Sequence, residues 1–74
     1  MHKVIKFGII GCSEIADNST IPAIIESKKA HVEMIGSRSL KKAKKFGKKF
    51  YCNNFGTYEE VLENDNIDAV YISV

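Results

Sequence analysis

The sequence predicts an α/β protein, the N-terminal half of a Rossmann-type doubly wound parallel sheet. An almost uninterrupted apolar run at 4–10 stops at Gly11 and passes directly into a helical stretch. Further apolar runs then alternate with helical stretches, which is the pattern of a parallel sheet whose strands are joined by helices. The final run, at 69–74, is again apolar and gives the sheet a last strand.

Length and composition set the class of protein. The chain has 74 residues, which allows one small domain, and its 45% hydrophobic and 27% charged residues are ordinary for a soluble globular protein. The net charge of +2 is too small to indicate a nucleic-acid or membrane partner. No apolar stretch is long enough for a signal peptide core or a membrane helix. We therefore expect a soluble cytoplasmic protein in which Cys12 and Cys52, which match no metal or redox spacing, are reduced thiols.

The first strand is expected over 4–10 and, being apolar on both faces, to be buried on both. The segment 11–16 after it fits the dinucleotide-binding spacing G-x-G-x-x-G/A at its first and last positions, Gly11 and Ala16. Gly11 permits a sharp turn, and Ala16 permits close helix packing. Ser13, at the middle position, would face a pyrophosphate on the helix N-terminus. The motif alone leaves an ordinary strand-to-helix turn without a ligand equally open.

Pro22 interrupts the helix that follows, because proline removes a helical hydrogen bond. We expect a break around 20–21 and a restarted helix over 22–27, with Pro22 in its first turn. The residues expected to face the sheet are Ile15, Ile21, Ile24 and Ile25.

The second strand is expected over 31–37 and, with its mixed polarity, to be less buried than the first. His31 is interpreted as a solvated loop residue, since no second ligand stands at metal spacing. Ser39 is a predicted N-cap for the next helix. The apolar face of that helix is predicted to comprise Leu40, Ala43, Phe46 or Gly47, and Phe50.

The rest of that helix is basic, with six lysines between 41 and 49. Nucleic acid or an anionic membrane is one interpretation. A solvated face is favoured, because no aromatic residue interleaves with the lysines. One of them could still reach a phosphate.

For the last third of the chain, the sequence predicts a short strand near 54–55, a short helix and the final strand. Thr57 and Glu60 form a capping box for a helix from 58 to 62 or 63. Acidic residues in a first turn complement the helix dipole, which explains Glu59 and Glu60 better than acid–base chemistry does. Right-handed crossovers place the first strand between the second and the last. Residues 11–14 and 73–74 would then line the crevice between the first and last strands.

Five parts of the sequence form a pattern when they are taken together in order and spacing: 8–16, 21–24, 37–39 with Lys42 and Ala43, 57–62 and 67–74. This pattern resembles the N-terminus of Gfo/Idh/MocA-type oxidoreductases, a family that includes glucose–fructose oxidoreductase, inositol dehydrogenases and many sugar-nucleotide dehydrogenases. The resemblance implies the nucleotide-binding portion of a NAD(P)-dependent oxidoreductase that acts on a sugar, polyol or sugar-nucleotide hydroxyl.

The resemblance also implies cofactor-binding residues. Those around the pyrophosphate are Gly11, Cys12, Ser13, Glu14 and Ile15; those near the adenosine ribose are Ser37, Arg38 and Lys42; and Ser73 lies near the cofactor at the last strand. Family members often carry glycine where Ser13 stands.

The end of the second strand indicates which cofactor is bound. NAD sites usually place an acid there for the ribose 2′-hydroxyl, whereas 36–39 contains none. Arg38 can hold the 2′-phosphate of NADP, and Lys42 can add a point charge. We therefore predict NADP. The alternative is that Arg38 only stacks on adenine, in which case NAD would serve equally well.

The Glu-Lys-Pro motif of the family, with its catalytic lysine, and the substrate-binding domain are not found within 1–74. We therefore interpret 1–74 as the first part of a NAD(P)-binding Rossmann domain, name no catalytic and no metal-binding residue, and expect no hydride transfer by this chain alone. The expected partners are the dinucleotide and, for a full-length protein, a small carbohydrate-type substrate, with a homo-oligomer left open. There are two alternatives: a stand-alone nucleotide-binding module, or a non-catalytic fragment that pairs with a partner through the strand edge at 69–74.

Overall fold

The computed structural model describes residues 4–12 and 16–73, which form one parallel four-stranded sheet with helices on both faces. The strand order is β3-β2-β1-β4, so β1 lies between β2 and β4 as the connectivity predicts. This confirms the predicted α/β class. The strands are β1 (Ile5–Ile10), β2 (Ala30–Gly36), β3 (Phe55–Gly56) and β4 (Ala69–Ile72), and the helices are a π-helical turn (Ala16–Thr20), α1 (Ile21–Glu26), α2 (Leu40–Lys49) and α3 (Tyr58–Leu62).

Two apolar clusters cover the two faces of the sheet, because successive side chains of a strand point to opposite faces. Ile9 of β1 belongs to the cluster that includes Ile21 of α1 and, at its margin, Phe46 of α2. The next residue, Ile10, belongs to the opposite cluster with Val61 of α3. Helices α1 and α2 therefore cover one face and α3 covers the other.

Helix α3 approaches the sheet closely, because β1 and β2 both present a glycine to it. A Cβ atom added at Gly8 or at Gly36 would lie 2.6 Å from a methyl carbon of Val61. The side chain of Thr57 caps α3 by accepting a hydrogen bond from the amide of Glu60, and the Glu60 carboxylate accepts one from the amide of Thr57 in return. The predicted capping box is confirmed.

The expected burial of β1 and β2 is partly wrong. Val4 and Ile5 are exposed, so the first strand is enclosed only in its C-terminal half. In contrast, β2 is as buried as β1, with Val32, Met34 and Ile35 in the core. The reason is position in the sheet: β2 has a neighbouring strand on each side, and its apolar side chains meet helices on both faces.

The predicted break before Pro22 is confirmed, because α1 begins at Ile21 and Pro22 lies in its first turn. Proline has no N–H to offer to the carbonyl four residues earlier, so a regular α-helix does not run through this point. The preceding residues Ala16–Thr20 form the wider π-helical turn. Ile21 is fully buried and Ile24 packs on the same cluster, but Ile25 is 51% exposed, so its predicted core position is wrong.

Ser39 caps α2 as predicted, since its hydroxyl accepts a hydrogen bond of 3.4 Å from the amide of Lys42. Ala43 and Gly47 are buried beneath the helix, and Phe46 and Phe50 contact each other edge to face with centroids 5.9 Å apart. Leu40 is 61% exposed, which corrects its assignment to the apolar face. It occupies the first position of the helix, whereas the buried residues begin one turn later.

His31 lies within β2 rather than in a loop, and its exposed imidazole is 3.5 Å from the carboxylate of Glu33. Within the described ranges, no helix has the length and apolar character that a bilayer crossing requires.

Candidate functional site

The carboxyl ends of β1, β2 and β4 meet at one edge of the sheet, where ligands bind in open parallel sheets. A cleft of about 240 Å³ opens there. Its lining comes from the turns after three strands and from the first turns of α2 and α3. The lining residues are Gly11, Cys12, Ser37, Arg38, Ser39, Lys42, Tyr58 and Ser73.

Backbone hydrogen bonds hold these turns at one level. The amide of Gly11 donates to the carbonyl of Gly36 at 2.9 Å, and the amide of Ser73 donates to the carbonyl of Ile10 at 2.7 Å. Gly11 has φ of 100°, in the region that favours glycine, which lets the chain leave β1 sharply. Backbone hydrogen bonds therefore join the turns after β1 and β4 to the neighbouring strands at the cleft.

The turn between β2 and α2 is ordered by two serine hydroxyls. The buried hydroxyl of Ser37 accepts a hydrogen bond of 3.1 Å from the amide of Ser39, which encloses the exposed residue Arg38 between them. Ser39 then begins α2 by capping the amide of Lys42. Both cationic residues of the cleft thus project from backbone that side-chain hydrogen bonds hold in place.

The described lining of the cleft is cationic. Arg38 and Lys42 line it, and no carboxylate side chain does. The donor set is suited to an anion, and an arginine fork in particular to a phosphate.

Cys12 is a half-buried free thiol on the floor of the cleft. Burial raises its pKa above the ordinary value for cysteine, and this effect exceeds the opposing influence of a hydrogen bond from the Ser37 hydroxyl and of the Lys42 charge. The thiol is therefore protonated near neutral pH.

The structure brings together six of the nine residues that the sequence singled out. These are Gly11, Cys12, Ser37, Arg38, Lys42 and Ser73. The other three, Ser13, Glu14 and Ile15, lie outside the described residues. The cleft spans the ends of β1, β2 and β4, so it joins the crevice expected between the first and last strands to the residues expected near the ribose at the end of β2.

Sequence reasoning missed Ser39 and Tyr58 as lining residues. Ser39 was interpreted only as a helix cap, although a cap at this edge also faces a ligand cleft. Tyr58 is the first residue of α3, directly after the cap residue Thr57, and it lines the cleft together with Arg38. Tyr58 could have been predicted from its position, because it lies just beyond the end of a parallel strand. Among the residues that the structure describes, no group of three His, Cys, Asp or Glu residues is placed to hold a metal ion.

Comparison with known proteins identifies relatives of this chain. A family model described as an oxidoreductase family with a NAD-binding Rossmann fold, GFO_IDH_MocA, matches residues 5–74.

Two of the most similar curated relatives are both dTDP-3,4-didehydro-2,6-dideoxy-alpha-D-glucose 3-reductases. The one from Saccharopolyspora spinosa is 33% identical over 72 residues, which cover 97% of this chain and 22% of that protein. The one from Actinomadura kijaniata is 37% identical over 68 residues, covering 92% of this chain and 20% of that protein. The chain thus spans about a fifth of the length of the curated relatives it matches.

Solved structures agree with the fold. A 3-ketoreductase from Actinomadura kijaniata in complex with NADP superimposes with a TM-score of 0.91 at 35% identity, over 97% of this chain and 23% of that one. A putative NADPH-dependent oxidoreductase from Desulfitobacterium hafniense gives a TM-score of 0.87 at 29% identity, over 100% of this chain and 21% of that one.

Proposed function

The chain belongs to the Gfo/Idh/MocA family of oxidoreductases with a NAD-binding Rossmann fold, and from this premise we propose that 1–74 is the first part of a nucleotide-binding domain whose cleft holds NADP in preference to NAD. The 2′-phosphate of the adenosine ribose is the group that distinguishes the two cofactors. The end of β2 is where a Rossmann fold meets that ribose.

The observation that carries this proposal is the charge of the cleft at the end of β2. Arg38 and Lys42 line it, and none of the described residues that line it carries a carboxylate; Glu59 lies in the adjoining depression, which Arg38 also lines. A ribose 2′-hydroxyl is normally bound by a carboxylate, which would repel a phosphate. A guanidinium and an ammonium group instead attract a phosphate dianion, and the guanidinium can do so through two parallel hydrogen bonds.

The remaining lining supports a dinucleotide rather than a lone phosphate. Gly11 turns the chain sharply and brings no side chain to the end of β1, where the pyrophosphate of a dinucleotide is bound in this fold. Tyr58 provides a half-buried aromatic side chain beside Arg38, suited to the adenosine end. Ser73 lies at the end of β4, on the opposite side of β1 from β2. The assignment of Cys12, Ser13, Glu14 and Ile15 to the pyrophosphate rests on the family resemblance.

We further propose that the full-length protein is a NADP-dependent oxidoreductase acting on the hydroxyl or keto group of a sugar-type substrate, a sugar nucleotide included. The named relatives are sugar-nucleotide 3-reductases, and a solved relative is a 3-ketoreductase in complex with NADP. Bound NADPH supplies a hydride in such chemistry. The residues of 1–74 would bind and orient the dinucleotide, and the catalytic and substrate-binding residues would come from the rest of the protein.

Calorimetric titration of the purified protein with NADPH and with NADH tests the proposal. We expect NADPH to bind at least about tenfold more tightly, because one charge-assisted hydrogen bond to the additional phosphate is worth about 1.5–3 kcal/mol. Equal affinity for the two nucleotides, or binding of neither, would contradict it.

A further inference from the structure

The positive charge of the chain is concentrated in one segment. Seven of its 11 Lys and Arg residues lie within 34–58, whereas none of its 9 Asp and Glu residues does. Six of the seven belong to α2 and are exposed, and together they form a lysine face on that helix. These residues are Lys41, Lys42, Lys44, Lys45, Lys48 and Lys49. The small net charge of the whole chain therefore conceals a strongly basic surface.

Nothing within α2 offsets these charges. The helix contains no acidic residue, and Lys41 lies in its first turn, where the helix dipole disfavours a cation. Lysines three or four residues apart, such as Lys41, Lys45 and Lys48, are neighbours on the helix surface and repel one another. An arrangement that costs stability without a local gain is typical of functional sites. The lysine face is therefore a candidate for binding an anionic partner.

The lysine side chains enclose an open depression on the exposed side of α2. Its volume is about 560 Å³. Apart from Ser39, all the residues that line it are lysines of α2, namely Lys41, Lys42, Lys44, Lys45 and Lys48. An anion in this depression would meet several ammonium groups at once.

A second depression, of about 200 Å³, continues this surface towards β3. Lys44 and Lys48 line both depressions. The second is also lined by Asn53 and by the half-buried side chain of Phe55 in β3. The exposed side of α2 has no aromatic residue of its own, but the fold places one beside it. An aromatic ring and an amide next to cations are suited to a base and its phosphates.

The same surface is poorly suited to a lipid bilayer. A helix that lies on a membrane buries exposed apolar side chains that flank its lysines. Within α2, all of which the structure describes, Leu40 at the first position is the only large apolar residue that is exposed. Phe46 packs against the core instead. A single strand of nucleic acid, whose flexible backbone can follow the lysines, fits the surface better.

We propose that the lysine face of α2, together with Asn53 and Phe55, binds single-stranded nucleic acid. The lysines contact phosphates and Phe55 contacts a base, so that affinity depends on charge more than on base sequence. The inference goes beyond the proposed function and does not depend on it. Ser39 and Lys42 border both the cofactor cleft and the lysine face, whereas the other lysines lie outside the cleft.

Fluorescence anisotropy of a labelled oligothymidylate of about twelve nucleotides, titrated with the purified protein, tests the inference. The titration is repeated between about 50 and about 200 mM salt. Each phosphate that the protein neutralises contributes about 0.7 to the slope of log affinity against log salt concentration, so a strand held by about four lysines predicts a slope of about −3.

The double variant Lys44→Gln with Lys48→Gln removes the two lysines that line both depressions. We expect its affinity at low salt to fall by more than about tenfold and its slope to become smaller by about 1.4. Lys44→Arg with Lys48→Arg keeps both charges and should keep the affinity. The matched control is Lys28→Gln with Lys29→Gln, two exposed lysines in the turn before β2. It has the same net charge as the first variant and should change neither quantity.

Two further measurements separate binding from other effects. The Lys44→Gln with Lys48→Gln variant should melt no lower than the unsubstituted protein, because the substitutions relieve repulsion between like charges. A strand of the same length without bases should bind at least about fivefold more weakly than oligothymidylate, because stacking of a base is lost.

Five results would overturn the inference. The first is no binding of oligothymidylate at about 50 mM salt, and the second is an equal loss in both glutamine double variants, which would show an effect of net charge alone. The third is equal affinity for the strand without bases. The fourth is binding to vesicles of phosphatidylserine and phosphatidylcholine but not to oligothymidylate, which would assign the lysine face to a membrane. The last is complete displacement of the strand by saturating NADPH, which would place the strand in the cofactor cleft.

The proposed function is tested separately from this inference. The preference for NADPH over NADH is measured without an oligonucleotide, and neither Lys44 nor Lys48 lines the cofactor cleft. A protein that prefers NADPH but binds no oligothymidylate would therefore overturn the inference alone.

Discussion

Gly11, the first residue after β1, donates its backbone N–H to the carbonyl of Gly36, the last residue of β2, at 2.9 Å. The turns after β1 and β2 consequently begin side by side. One carries the glycine expected beneath a pyrophosphate, and the other carries Arg38. This hydrogen bond therefore holds the proposed pyrophosphate end of the site next to the proposed ribose-phosphate end.

Replacing Gly11 with alanine should weaken both the fold and the nucleotide site. At φ of 100° an alanine side chain crowds its own backbone, at a cost of about 1–2 kcal/mol. We expect the melting temperature to fall by several degrees and the affinity for NADPH to fall with it. Gly11→Asn is the matched control, because asparagine tolerates positive φ better than alanine does. An alanine variant as stable as the unsubstituted protein would contradict this account of the turn.

Removal of the capping hydroxyl of α3 should destabilise the fold measurably. In Thr57→Ala the amide of Glu60 loses its acceptor, which costs about 1 kcal/mol at a helix N-cap. Chemical denaturation should show that loss for Thr57→Ala and almost none for Thr57→Ser, which keeps the hydroxyl. Equal losses for both variants would show that the methyl group, not the cap, matters.

The two cysteines should respond differently to nucleotide. Burial raises the pKa of both thiols, so each reacts with iodoacetamide more slowly than a free cysteine near neutral pH. Only Cys12 lines the cleft, so saturating NADP should slow its alkylation much more than that of Cys52, as followed by mass spectrometry of peptides. Equal protection of both thiols would indicate general stabilisation rather than occupation of this cleft.

The same pKa shifts give the fold a dependence on pH. A thiol whose pKa is raised in the folded state favours folding in its protonated form, so its contribution is complete below the ordinary thiol pKa. The contribution is lost as the pH rises from that value through the raised one. The free energy of unfolding, measured by urea titration, should therefore decrease above about pH 8.5. A constant or increasing stability across that range would contradict the assigned shifts.

The sequence was sufficient for the strand order, the two helix caps and the break at Pro22, because each depends on local chemistry or on the handedness of crossovers. It was insufficient for Leu40 and Ile25. Helical spacing shows which residues share a face, but not where along the helix the contact with the sheet begins and ends. Both residues lie near helix ends and are exposed.

The residues of the candidate site were likewise predictable only in part. Gly11, Arg38 and Ser73 were predictable because they follow strands, and the ends of parallel strands meet at one edge. Tyr58 was not singled out, because it follows a two-residue strand with little sequence signal.

Titration of NADP and NAD against Arg38→Ala tests the central claim most directly. The lost guanidinium should weaken NADP binding about ten- to a hundredfold, since each 1.4 kcal/mol is tenfold, and NAD binding should change far less. Arg38→Lys, which keeps the charge but not the fork, should fall between, and Lys48→Ala should leave the preference intact because Lys48 does not line the cleft. Selective loss of NADP affinity is the predicted result, and equal losses for the two cofactors would contradict the account.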